Sequence, residues 1–300
     1  MLENLQLLFM APVLNLQLLL DGIFIGAIFA LAAYGLALVW GVMNVKNLAQ
    51  GDFVILGGYL AWAMFNKGLN PFLALPVVIV LMFAFGWVIY HLIISRVIER
   101  DMFTSLLATF GLAIVIAQVL NLVFGSEVQT IDAGFKVRNY LNGQLTIADI
   151  KLISFVITLV LAALLISFMR MSRMGQAIRA TAQDARAAKV VGINTERVYA
   201  FTYALNAAIC GASGVLIAMI WLLQPFFGIT YAIRAFVIVT AAGLGNLPGV
   251  IIMGLGLGAT EQFGGFILGA EFQQAIVTGS LVLVLVIRQI LQRRKRQVVE

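Results

Sequence analysis

Two groups of residues stand out as able to do chemistry in an otherwise apolar chain. The first is Asn44-Val45-Lys46-Asn47-Leu48-Ala49-Gln50-Gly51-Asp52, a polar island between two apolar runs. Asn, Gln and Asp at membrane depth need partners or a water-filled cavity. A helix broken at Gly51 would expose backbone groups able to hold a polar solute. Asn44, Asn47, Gln50, Gly51 and Asp52 are therefore the candidate residues of a solute pathway. The same stretch also fits an ordinary turn, with Asp52 placed where a carboxylate suits the N-terminus of the next helix. Spacing alone leaves both open.

The second group lies between Ser172 and Arg197. Ser172 can cap a helix. Met174, Ile178, Thr181, Ala185 and Ala188 recur every three or four residues and draw one small, weakly apolar stripe. Gly192 can end that helix, and Asn194 or Thr195 can start the next. The expected product is a short helix with an Ala-rich face (Ala182, Ala185, Ala188), ringed by Arg179, Asp184, Arg186 and Lys189. Such a face buries little surface alone and suits a groove on a partner protein. A helix lying on anionic lipid would want Leu, Phe or Trp on its apolar face, and this one lacks them.

Other reactive residues are sparse. Cys210 is the single cysteine and lies in an apolar run, and the one histidine, His91, has no companion ligands or triad partners. This excludes a disulfide framework and argues against a metal centre. The phosphate-binding G-x-x-x-x-G-K-[ST] loop, H-E-x-x-H and G-x-S-x-G are all absent. No catalytic role and no cofactor are expected, and any energy source must come from elsewhere.

The elements that hold these residues follow from composition. The chain has 300 residues, of which 62% are hydrophobic and 11% charged, and its mean hydropathy is +1.04. A water-soluble domain is nearer half apolar and a quarter charged. The net charge of +6 comes from basic residues at the ends of apolar runs, which marks cytoplasmic loops rather than a nucleic-acid surface. Apolar runs of about 20 residues mark the spans: 22–45, 71–95, 102–124, 152–169, 198–223, 247–268 and 272–287, with short pieces at 53–65 and 232–244. Either short piece could enter the membrane and turn back. Residues 1–20 show no signal-peptide layout and could cross or lie along the membrane. The expected fold is all-α, a single polytopic domain over 1–300 with about eight to nine transmembrane helices, some short or broken.

Lys and Arg set the orientation. Arg96 and Arg100, the segment holding Arg170, Arg173, Arg179, Arg186, Lys189 and Arg197, and the tail of Arg288, Arg293, Arg294, Lys295 and Arg296 should all be cytoplasmic. Counting between them puts the N-terminus outside and the C-terminus inside. Gly22/Gly26, Gly254/Gly258 and Gly265/Gly269 repeat the spacing that lets helices approach closely in lipid.

The combination of Ser172-Arg173-Met174-Gly175, Arg179-Ala180, Asp184 and Gly192-Ile193-Asn194 with Arg197-Val198 resembles the cytoplasmic loop of branched-chain amino-acid ABC transporter permeases. Asn47-Leu48-Ala49-Gln50-Gly51-Asp52 resembles that family's Asn-Phe-Ala-His-Gly-Glu segment. Gly243-Leu244-Gly245-Asn246-Leu247-Pro248-Gly249 resembles its Gly-Gly-Ile-Gly-Ser-Ile-Pro-Gly turn. The resemblance implies an importer of branched-chain or related hydrophobic amino acids in a bacterial or archaeal cytoplasmic membrane. Its implied partners are a second permease subunit, two ATP-binding cassette subunits and a periplasmic or lipid-anchored substrate-binding protein. Gly175, Arg179, Ala182, Asp184, Ala185, Ala188 and Gly192 then belong to the helix that couples to the ATPases. Gln50, Asp52 and Leu48 replace the family's usual His, Glu and Phe, so a pathway lined by this segment can prefer another substrate; urea, short amides and other amino acids are served by relatives.

The competing class is a stand-alone secondary transporter or channel for a small polar solute. A proton- or sodium-coupled carrier should show ionisable residues deep in its spans. Asp52, Arg234 and Glu261 are the candidates, and the apolar runs place all three near probable span ends, which weakens that reading. A membrane-embedded enzyme fails for lack of a nucleophile–base or metal set.

Overall fold

The computed structural model describes residues 2–98, 100–132, 134–140, 145–243 and 245–297. Leu244 lies outside them, as do the side chains of Arg288, Arg293, Arg294, Lys295 and Arg296. Apart from one small hairpin, the fold is helical. It runs α1 (Leu2–Met10), α2 (Pro12–Met43), α3 (Gln50–Phe65), α4 (Pro71–Ile89), α5 (Ser95–Val97) and α6 (Met102–Phe124). The antiparallel strands β1 (Val137–Tyr140) and β2 (Leu145–Ala148) follow. Then come α7 (Asp149–Met171), α8 (Arg173–Gln183), α9 (Ala185–Val190), α10 (Thr195–Ile220), α11 (Gly228–Ala242), α12 (Leu247–Leu268) and α13 (Gln273–Gln297). Eight of these segments are long and apolar enough to cross a membrane. The 16 residues of α3 fall short of that length, and an unwound stretch precedes them. This is a multi-pass membrane protein.

The first apolar run is longer than hydropathy suggests. Pro12 opens α2 at its first position, where a missing N–H costs nothing, and the helix continues for 32 residues. Residues 1–20 are thus divided between α1 and the start of α2. At the other end Asn44 adopts φ 54° and donates its N–H to Trp40 O, a left-handed cap that terminates the helix.

Neither short piece turns back. After Asn44 the chain re-enters, so that the Gln50 side chain reaches Ala32 O, roughly 16 Å up α2 from Met43 at ~1.5 Å per residue. From there α3 continues to the end opposite the basic loops. Residues 221–227 do the reverse. Leu223 pairs with Gln129 at that opposite end, a 3₁₀ turn at Pro225–Phe227 leads inward, and α11 runs toward the basic end. The N-termini of α3 and α11 meet in the interior, where Gly51 packs on Gly228 and Ala232.

The two halves are arranged as inverted repeats. In the first, a long helix (α2), an unwound stretch and a short helix (α3) are followed by α4 and α6. In the second, α10, an unwound stretch and α11 are followed by α12 and α13, running in the opposite direction. The packing crosses over: α12 lies along α2, and α4 lies along α10. Small residues make both seams. A Cβ at Gly26 would collide with the backbone of Gly254, and one at Gly86 would lie 2.9 Å from Ala204 Cα. Lipid solvates apolar side chains as well as protein does, so close backbone packing of this kind holds membrane helices together. Gly265 and Gly269 differ: Gly269, at φ 110°, ends α12 rather than packing a seam.

Candidate translocation site and coupling face

The polar island is drawn together by the break between α2 and α3. Asn47 and Gln50 are fully buried, and Asp52 is 5% exposed. Gln50 Nε2 donates to Ala32 O at 2.8 Å and to Cys210 Sγ at 3.0 Å, and its Oε1 accepts from Asn47 Nδ2 at 3.4 Å. Asn47 Oδ1 in turn accepts from Ala49 N at 3.2 Å, a local side-chain turn that replaces the helical bonds lost at the break. Thr109 on α6 accepts from Leu48 N at 3.2 Å. These bonds answer the demand that non-helical backbone at membrane depth be satisfied internally.

Asp52 serves two helices. It lies in the first turn of α3, and its carboxylate packs against Gly228, the first residue of α11; a Cβ there would be 2.8 Å from Asp52 Oδ2 and closer to the rest of the group. One carboxylate thus faces two positive helix ends. The break falls before Asp52, at residues 44–49, not at Gly51, which is helical. Asn44 is separate: it is exposed at the end of α2 and lines a cavity of about 540 Å³ with Trp40, Arg179, Ala182 and Leu247.

Several residues at this site escape a reading by motifs. Thr109, Cys210 and the backbone of Ala32 belong to the bonding network. Asn206, one turn from Cys210, is fully buried, and its Nδ2 has no hydrogen-bond partner. The available signal was an Asn inside a long apolar run, which is costly in a membrane unless paired or functional.

Arg234 and Glu261 correct the sequence-based placement. They lie inside α11 and α12, 6% and 2% exposed, not at span ends. Arg234 Nε donates to Glu261 Oε2 at 3.1 Å, and Nη2 donates to Oε1, making a two-pronged ion pair. The guanidinium carbon sits 5.0 Å from the ring centre of Phe29 and 5.7 Å from those of Trp221 and Tyr231. Aromatic faces attract a cation, so the charge is enclosed as well as paired.

At the basic end, the Ser172–Arg197 segment forms two helices rather than one. Ser172 Oγ accepts from Gly175 N at 2.8 Å and starts α8. Asp184 breaks the helix and caps α9, its Oδ1 accepting from Arg186 N at 2.8 Å and Ala187 N at 3.0 Å. Those two N–H bonds, Ala187 first, hold its carboxyl below the usual carboxylate range. Gly192 takes φ 88°, and Asn194 caps α10 through Arg197 N at 3.0 Å.

The break redistributes the expected Ala-rich face. Gly175, Ile178, Thr181 and Ala188 are buried against the chain's own body, Ala185 is half-buried, and Ala182 is exposed. Gly175 has no room for a side chain, since a Cβ would lie 2.6 Å from the carbonyl oxygens of Phe168 and Met169. Arg179 Nη1 donates to Met169 O. The outward apolar residues are instead Val190 and Val191, 87% and 75% exposed. They fall outside the stripe because α9 ends at Val190 and the turn to Gly192 redirects the chain.

Similarity to known proteins covers nearly the whole chain. Residues 18–286 match the family described as branched-chain amino acid transport system, permease component. LivH of Escherichia coli, named a high-affinity branched-chain amino acid transport system permease protein, is 29% identical over 91% of this chain and 93% of its own. BraD of Pseudomonas aeruginosa, with the same description, is 28% identical over 91% and 94%. A probable branched-chain amino acid transport permease of Methanocaldococcus jannaschii is 27% identical over 90% and 88%. No solved structure matches the chain. With a family match across most of the chain and eight membrane-length helices among the described residues to carry it, this protein belongs to the branched-chain amino acid transport system permease family.

Proposed function

We propose that this chain is the membrane-embedded permease subunit of an ATP-driven importer for branched-chain or related hydrophobic amino acids, in the cytoplasmic membrane of a bacterium or archaeon. The observation that carries the reading is the near end-to-end match to permeases bearing that description. ATP hydrolysis takes place on two ATP-binding cassette subunits. A second permease subunit completes the pathway, and a periplasmic or lipid-anchored binding protein delivers the substrate.

Asn47, Gln50, Gly51 and Asp52 form the part of the pathway that this subunit contributes, with Asn44 at its cytoplasmic mouth. The buried amides and the paired helix N-termini supply donors that can replace water around the polar end of an amino acid. In the conformation described these groups face one another, and transport requires α3 and α11 to part. α8 and α9 couple that motion to the ATPases. Arg179 and Gly175 fix α8 to the end of α7, Asp184 and Gly192 set the angle of α9, and Ala182, Ala185, Val190 and Val191 meet the partner. Ala188 supports α9 from beneath.

The test is recovery of ATP-binding cassette subunits with the tagged permease. Val190→Glu places a charge in an apolar contact without touching the core, and Ala185→Glu does so at the edge of α9. Both variants should insert normally, lose most of the bound ATPase subunits and lose uptake in proportion. Full recovery of ATPase subunits together with full uptake in both variants would remove the coupling assignment.

A further inference from the structure

Beside the coupling helices lies a second polar feature that the transport reading does not use. A cavity of about 250 Å³ opens at the basic end between the end of α7, α8 and the start of α12. Tyr34, Arg170, Arg179, Leu247 and Pro248 line it, and no carboxylate does so among the described residues. Tyr34 is 1% exposed, and its hydroxyl has no hydrogen-bond partner. Tyr34 and Arg170 face the same cavity. Arg179 is held at the wall by its bond to Met169 O, leaving other guanidinium N–H groups for a ligand. The start of α12 closes the cavity, but its N-terminus is already capped: Gly249 N donates to Asn246 Oδ1 at 3.1 Å, and Pro248 carries no N–H.

The apolar gap beyond Tyr34, bordered by Ala27, Ala30, Leu159, Ala162, Ile251 and Leu255, has only about 20 Å³ and has no room for a hydrocarbon chain. The cationic and hydroxyl groups at the basic end are therefore the whole of the candidate site.

We infer that this cavity binds the headgroup phosphate of one inner-leaflet phospholipid, held by Arg170, Arg179 and the Tyr34 hydroxyl. Basic pockets between membrane helices on the cytoplasmic side suit anionic headgroups, and guanidinium groups suit phosphate through paired, charge-assisted bonds. Because Arg179 belongs to α8, the bound lipid braces the coupling helix against α7. The inference depends on the orientation set by the basic loops, but not on the substrate or on the identity of the ATPase partners.

Native mass spectrometry of the full-length chain in detergent tests this directly, with phosphatidylglycerol titrated in. Wild type should retain one phosphatidylglycerol after delipidation. Arg170→Gln should weaken retention about tenfold or more, and the conservative Tyr34→Phe about fivefold, without loss of the folded chain. Arg173→Gln, an exposed arginine absent from the cavity lining, should leave retention unchanged. Inorganic phosphate at millimolar concentration should not displace the lipid. Retention equal to wild type in both Arg170→Gln and Tyr34→Phe would overturn the proposal. Equal loss in Arg173→Gln would show general surface attraction, and displacement by inorganic phosphate would show a soluble-anion site; either also overturns it.

Discussion

The two unwound crossings share a shape but not a chemistry. Each leads from one end of the molecule to the interior and then becomes a short helix, α3 in one case and α11 in the other. The unwound stretch of the first is held by neutral groups, ahead of Asp52 in the first turn of α3: Asn47 and Gln50 bond to one another, and Gln50 to Ala32 O and Cys210. The second is tied to its neighbour by a full charge pair, Arg234 with Glu261, enclosed by Phe29, Trp221 and Tyr231. Neutral amide bonds are each worth about 1 kcal/mol net and exchange readily with a polar solute. A buried ion pair, once formed, is expensive to open, because each charge would be left unpaired in a poor solvent. The difference suggests a division of work in which α3 can rearrange around a substrate while α11 stays fixed to α12.

The largest effect should come from the charged side of this comparison. Arg234→Met leaves Glu261 buried without a partner and should destabilise the protein by about 3–5 kcal/mol. Adding Glu261→Met removes the orphaned charge and should restore most of that loss, since apolar replacement of a buried pair is often neutral. Thermal unfolding of the purified variants decides it. A single variant as stable as wild type would mean that the pair does not anchor α11.

The crossing point is shared by both halves and should come next. A Cβ at Gly51 would overlap the carbonyl oxygen of Gly228, whereas one at Gly41 meets nothing within 4 Å. Gly51→Ala should cost about 1–3 kcal/mol through forced separation of α3 from α11 and should abolish uptake. Gly41→Ala should be neutral or slightly stabilising. Equal behaviour of the two in unfolding and uptake would show that the helix N-termini do not need this close approach.

The smallest change in stability should be on the amide side. Gln50→Ala deletes bonds to Ala32 O, Cys210 and Asn47, for about 1–2 kcal/mol, yet uptake should fall strongly while insertion persists. Gln50→His, which installs the residue usual in the family, should retain more uptake than Gln50→Ala. If Gln50→Ala proved as destabilising as Arg234→Met, the contrast between an adaptable and an anchored crossing would fail.

Much of this was legible in the residues. Polar side chains at 44–52 flanked by apolar runs marked an interruption, because a membrane tolerates such groups only where helices are interrupted or paired, but left open a turn or a break at Gly51, whereas the unwound residues are 44–49. Ser172, Gly192 and Asn194 marked the helix ends at the basic side, because capping is chemistry between near neighbours. The multi-pass helical class, expected at about eight to nine spans, followed from apolar length, and eight helices of membrane length are present among the described residues. Asp184 was harder to read: the same residue can sit on a helix or cap the next one, and here the capping bonds prevailed and split the expected Ala-rich face.

What the sequence determined by itself was therefore the class, the approximate spans and the local signals at helix ends, all set by transfer energies and short-range hydrogen bonds. Tertiary structure alone decided that Gly51 would meet Gly228, separated by most of the chain, and that Arg234 would find Glu261 rather than the membrane surface. It also decided that Val190 and Val191 would face outward while Ala188 faced in, and that Tyr34 would lie beside Arg170. These depend on how helices cross and how closely their backbones approach. That is a property of complementary small-residue surfaces brought together by the whole fold, and no single segment encodes it.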